Sequence, residues 1–167
     1  MGIFDSFKRK LGYDIINNNG VNEIYWGNFL KKKYYKKNGV YDGKYLEFIR
    51  NGGEAWIERE VNYKRGVKEG LCRYYWKNHV SAEGNFSSDK ATGIVKKYFL
   101  YEDELKDLKL HPVIKEYADL DKGVYKVFSL EGKLLEESEI GGIVFNEGST
   151  SSGDGCYGGI YPKRNGL

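Results

Sequence analysis

Proline, methionine, histidine and cysteine are scarce in this chain of 167 residues: two, one, two and two of each. The scarcity excludes several chemistries. His79 and His111 have no cysteine or carboxylate at metal-ligand spacing, so no metal centre is predicted. Cys72 has no identifiable base to activate it as a nucleophile. Cys72 and Cys156 form no disulfide framework, and the expectation is a reducing, cytoplasmic setting. No apolar stretch approaches the length of a membrane span, and the start of the chain lacks the apolar core of a secretory signal. Residues Met1-Gly2-Ile3-Phe4-Asp5-Ser6 match a myristoylation pattern that matters only in a eukaryotic host. The pairs Gly52-Gly53 and Gly141-Gly142 lack the lysine and helix of a phosphate loop. Glu58, Glu60 and Glu69 read as the charged face of a sheet. The expectation is a non-enzyme with no catalytic residue and no cofactor.

Tyrosine and glycine fill the space, with 15 and 22 residues. Tyrosine favours strands, and glycine supplies the positive φ of tight turns. Glycines 20, 43, 70, 93 and 123 recur at intervals of 23, 27, 23 and 30 residues. Five residues after each stands an aromatic: Tyr25, Phe48, Tyr75, Tyr98 and Phe128. Eight residues after come Asn28, Asn51, Asn78, Tyr101 and Glu131, and seven before, three of five are aromatic: Tyr13, Tyr63 and Phe86. Such a period signals stacked supersecondary units. The unit predicted is a hairpin whose first turn closes at the glycine, as in Val40-Tyr41-Asp42-Gly43 or Val67-Lys68-Glu69-Gly70, with a second turn at Asn51-Gly52-Gly53 or Asn78-His79. The fold class expected is mainly β, an antiparallel meander of hairpin repeats with a short N-terminal helix.

Three parts are predicted. Residues 1–12 form an amphipathic helix or cap, with Ile3, Phe4, Phe7 and Leu11 on one face and Gly12 as its stop. Residues 13–140 form the repeat domain, interrupted by a segment at 101–117 that reads as helical until Pro112. Residues 141–167 form a Gly/Ser-rich tail.

Three stretches, "YDGKYLEFIRNGG" (41–53), "KEGLCRYYWKNHVSAEGNF" (68–86) and "ATGIVKKYFLYEDEL" (91–105), resemble the MORN-repeat variant, in which a glycine opens a Tyr/Trp-rich strand and an Asn-Gly turn follows. The whole pattern looks like the bacterial YwqK-type antitoxin family. The resemblance covers residues 39–105 best, is weaker over 119–137, and is absent from both ends. His79 stands where that family's turn has glycine, and the last unit has Glu131 in the asparagine column. The resemblance implies an antitoxin or immunity role, with a toxin or effector protein as partner.

Adjacent aromatics such as Tyr74-Tyr75 and Tyr98-Phe99 must split between sheet faces. Exposed aromatics on a rigid sheet make good interface material. The binding surface expected from the sequence is Tyr45, Tyr74, Trp76 and Tyr98. A basic run, Lys31, Lys32, Lys33, Lys36 and Lys37 around Tyr34-Tyr35, supports a second reading, peripheral binding of nucleic acid or anionic lipid. It reads more simply as lysines protecting a sheet edge. Charge is uneven: residues 1–37 carry eight Lys/Arg against three acids, and residues 101–140 six against eleven. That split would steer an acidic partner toward the N-terminal end.

Overall fold

The structure, a computed structural model, describes residues 16–77, 79–99, 113–143 and 160–162. The predicted N-terminal helix, most of the 101–117 segment, Asn78, His111, Cys156 and nearly all of the Gly/Ser-rich tail lie outside them. The described chain is mainly β, and no helix is among its elements. Eleven strands follow one another: β1 (Gly20–Trp26), β2 (Phe29–Lys37), β3 (Val40–Asn51), β4 (Glu54–Lys64), β5 (Val67–Trp76), β6 (His79–Ser87), β7 (Lys90–Tyr98), β8 (Ile114–Asp119), β9 (Val124–Phe128), β10 (Leu134–Ile143) and β11 (Ile160–Pro162).

The chain forms two compact units. The first holds the described residues up to His79 together with Phe86–Lys90; the second holds Val80–Asn85 and the residues from Ala91 onward. In the first, β1 to β5 pair in chain order, each antiparallel to the next. In the second, β7 to β11 do the same. Strand β10 crosses the boundary expected at 140/141, and Ile160–Pro162 pair back onto it.

The turns correct the predicted hairpin. Val40 and Val67 open strands, and Gly43 and Gly70 lie inside them. The tight turns stand four residues earlier, at Asn38-Gly39, Arg65-Gly66 and Ser88-Asp89. Both central residues of each have positive φ: 53° and 80°, 53° and 89°, 50° and 66°. Gly52-Gly53 repeats this at 58° and 93°. Two positive φ values in a two-residue loop give the turn whose twist matches the flanking strands. Gly43 and Gly70 instead occupy bulges, whereas Gly123 closes the turn before β9. Register shifts between Val61 and Tyr63, so that the one residue between them, Asn62, faces the three between Lys68 and Cys72. Gly70 supplies the φ of 87° that this bulge requires.

Successive turns of the first unit are joined. The Gly39 N–H donates to the Asn18 carbonyl, Gly66 to Tyr41 and Asp89 to Lys68, at 2.9, 2.8 and 3.1 Å. Side chains complete the joint: Asn38 N–H to Asn19 Oδ1 (2.7 Å), Ser88 N–H to Glu69 Oε2 (3.0 Å) and Lys68 N–H to Asp89 Oδ1 (2.7 Å). Ser88-Asp89 holds two non-glycine residues at positive φ, which costs roughly 1–2 kcal/mol each. It is also the turn with three such bonds, which offset that cost.

The core follows the register. One row runs straight across β1 to β5: Asn22, Tyr34, Tyr45, Val61 and Cys72, all buried. In the second unit the row is Val95, Ala118 and Tyr125. Every residue two after a repeat glycine is therefore buried: Asn22, Tyr45, Cys72, Val95 and Tyr125. Asn22 is the polar member, and its side chain ties the entering chain down. Its Nδ2 donates to the Asn17 and Gly20 carbonyls and its Oδ1 accepts the Asn17 N–H.

A substitution separates the bulge from the turn. A Cβ added at Gly70 would meet nothing within 4 Å, so its only penalty is backbone strain. Gly70→Ala is expected to lower stability by about 1–2 kcal/mol in urea unfolding; an unchanged midpoint would contradict the bulge.

Candidate interaction surface

The first unit carries a charged row beside its buried one. Lys32 pairs with Glu47, and Glu47 with Arg59, across β2, β3 and β4. The Glu47 carboxylate bridges both cations, at 3.5 Å from Lys32 Nζ and 2.5 Å from Arg59 Nη2. Lys32 Nζ and the Arg59 guanidinium also lie 6.0 and 5.7 Å from the Tyr45 ring centroid. Burial alone would lower the Lys32 pKa, but the Tyr45 hydroxyl and Glu47 outweigh it and raise the pKa. Burial and Glu47 push the Tyr45 phenol up. Tyr34, Tyr41, Tyr45 and Tyr63 form a ring cluster with centroids 5.0–6.0 Å apart.

The other face of this unit is polar and paired. Lys33 Nζ lies 3.0 Å from Glu23, and Lys44 Nζ lies 2.6 Å from Glu60. The Tyr75 hydroxyl donates to Glu60 at 3.3 Å. In the second unit the Tyr98 hydroxyl donates to Glu83 at 2.7 Å, with the same fifteen-residue offset. The aromatic column five after each glycine thus supplies half-buried rings, and two of its tyrosines hold a carboxylate on the preceding hairpin's strand.

The structure separates the aromatics expected to bind. Tyr45 and Tyr74 are buried, at 6% and 9% exposure. Tyr98 is half-buried in the second unit. Trp76 is 40% exposed and touches Trp56 edge to face at 5.9 Å. Trp26, 78% exposed, is the most open large apolar residue described. Trp26, Trp56 and Trp76 all lie at one end of the strands, beside the turns Gly27-Asn28, Gly52-Gly53 and the one following Trp76. The sequence reading missed Trp26 and Trp56. A signal was there: Trp26 and Trp76 both stand six residues after a repeat glycine.

Strand alternation also divides the basic run. Lys32 turns to Glu47 and Tyr45, Lys33 to Glu23, and Lys36 lies 5.6 Å from the Tyr41 ring. Lys31 and Lys37 are exposed. The five lysines do not make one cationic face. Among the described residues no three His, Cys, Asp or Glu side chains gather where they could hold a metal ion, and no helix is long and apolar enough to cross a membrane.

Glu58, in the β4 segment whose register slips against β3, gives a pH test. Burial and the neighbouring Glu47 raise its pKa, against the smaller pull of Arg59 and Lys31. A carboxyl with a raised folded pKa stabilises the fold below its unfolded pKa and loses that contribution as pH rises through the folded pKa. Glu58→Gln should therefore raise the thermal midpoint near neutral pH and leave it unchanged in acid, where Glu58 is protonated in both states. A variant less stable at neutral pH would contradict this. No family model matches this chain, and no curated protein matches it.

Proposed function

We propose that the chain is a non-catalytic, protein-binding module of MORN-like hairpin repeats, acting in the cytoplasm in the manner of an antitoxin or immunity protein that occludes its partner. One observation carries the reading: two of the three tryptophans at one strand end of the first unit, Trp26 and Trp76, present their rings to solvent. Exposing large apolar rings is unfavourable unless something covers them, and tryptophan is the residue most enriched among interface hot spots. The strand frame beneath holds them with little entropy left to lose on binding. The alternative, nucleic acid or anionic lipid held by the run from Lys31 to Lys37, has less support, because alternation disperses those lysines.

The test is affinity capture of the tagged full chain from extracts of its native host, read by mass spectrometry. Tyr45 and Tyr74 are poor positions to vary, since truncating a buried ring destabilises by several kcal/mol, roughly 3–5. The informative variant is Trp26→Ala with Trp76→Ala. The expected result is one stoichiometric protein, lost from the variant while its thermal midpoint is retained, and toxic when expressed alone. Equal capture by both forms would overturn the reading.

A further inference from the structure

The charges of the first unit fall into two groups. On the sheet faces, cations are matched by acids: Lys32 and Arg59 with Glu47, Lys33 with Glu23, Lys44 with Glu60. At the end where Asn38-Gly39, Arg65-Gly66 and Ser88-Asp89 turn, they are not. Lys37, Lys64, Arg65 and Lys90 are exposed there, and none makes an ion pair among the described residues. Three described acids stand at this edge, and none forms an ion pair with these four cations. Glu69 accepts the Ser88 N–H and Asp89 accepts the Lys68 N–H. Asp42 is the third acid of this edge. The cations are outward and in excess.

The edge is also rigid. Backbone bonds from Gly39 to Asn18, Gly66 to Tyr41 and Asp89 to Lys68 join each turn to the next. Equivalent positions such as Lys37 and Lys64 stand two strands apart, about 9.5 Å. Exposed Val40 and Val67 lie beside them, one after each turn. Most rings described at this edge are engaged with one another or with cations: Tyr41 with Tyr34, Tyr45 and Tyr63, and Phe86 with Lys68; Tyr35, 41% exposed, is open. One open ring is not the row of platforms on which successive bases of a single strand stack. Spaced cations with small apolar side chains between them suit a polypeptide bearing carboxylates.

We infer that this turn edge, built from Lys37, Lys64, Arg65 and Lys90 with Val40 and Val67, docks an acidic segment of a protein partner. The inference rests on the protein-binding reading and adds the partner's chemistry. Ordering costs little at an edge already fixed by its own hydrogen bonds, and charge complementarity raises the rate of encounter.

The probe is a labelled poly-glutamate peptide, titrated into the full chain and followed by fluorescence anisotropy at two salt concentrations. A single-stranded oligonucleotide and phosphatidylserine vesicles serve as comparisons. The edge variant combines Lys37→Gln, Lys64→Gln, Arg65→Asn and Lys90→Gln. Its charge-matched control, Lys33→Gln, Lys44→Gln, Lys97→Gln and Lys126→Gln, removes cations that are paired with Glu23, Glu60, Glu116 and Glu137. The expected result is peptide binding that weakens with salt, is about tenfold weaker or more in the edge variant, and is near wild type in the control. If the edge variant fails to fold, Lys37→Glu and Lys64→Glu, made singly, should each weaken binding. Absence of peptide binding, equal losses in both variants, or tighter binding of oligonucleotide or vesicles would overturn the inference. Trp26→Ala should leave peptide binding unchanged, so failure here is distinguishable from failure of the tryptophan surface.

Discussion

Positive φ at two consecutive turn residues, and again at a glycine four positions on, is the constraint on which the first unit depends. The tandem values give the hairpin the twist of its strands. The glycine then opens a bulge that lets the next strand return in register. With both in place, a carbonyl two residues before each repeat glycine faces the turn N–H of the following repeat. Side chains stack in the same register. Tyr41 lies against Tyr63, and at the equivalent position one repeat later Lys68 lies over Phe86. Ring on ring and cation on ring fill the same place, which shows that the geometry, not the chemistry of one pair, is what repeats.

Function follows from what this frame consumes and what it leaves. Sheet faces consume charge: glutamates at positions 23, 47 and 60 each hold a cation. Turn caps hold two acids by backbone N–H groups, and cations without ion pairs stand at the same end of the strands. The other end leaves indole rings. A protein that binds by surface complementarity needs such residues held still, and the hydrogen-bonded meander holds them.

Much of the fold was legible in the sequence. The glycine period, the tyrosine content and the scarcity of proline pointed to antiparallel hairpins, and the second turn at Gly52-Gly53 stands where the sequence put it. The first turn did not, because Val-Tyr-Asp-Gly looks like a turn while its glycine serves a bulge inside a strand. The buried column two after each glycine was invisible for a chemical reason. Its members are Asn, Tyr, Cys, Val and Tyr, which share a position and no property. The visible aromatic column five after the glycine is half-buried and largely concerned with hydroxyl–carboxylate bonds. Of the expected binding residues, Trp76 is exposed and Tyr45 and Tyr74 are core. Alternation alone could not say which face would be covered. The basic run read as a patch because sequence neighbours look contiguous, whereas strand geometry sends them apart.

The joined turns are the element on which both the fold and the docking edge rely, and amide hydrogen exchange measures them directly. The N–H groups of Gly39, Gly66 and Asp89 are expected to exchange slowly, like those in the middle of the strands, since each is bonded to a carbonyl of the preceding repeat. Exchange at the rate of open loops would mean that the turns move independently, and the rigid edge would not exist.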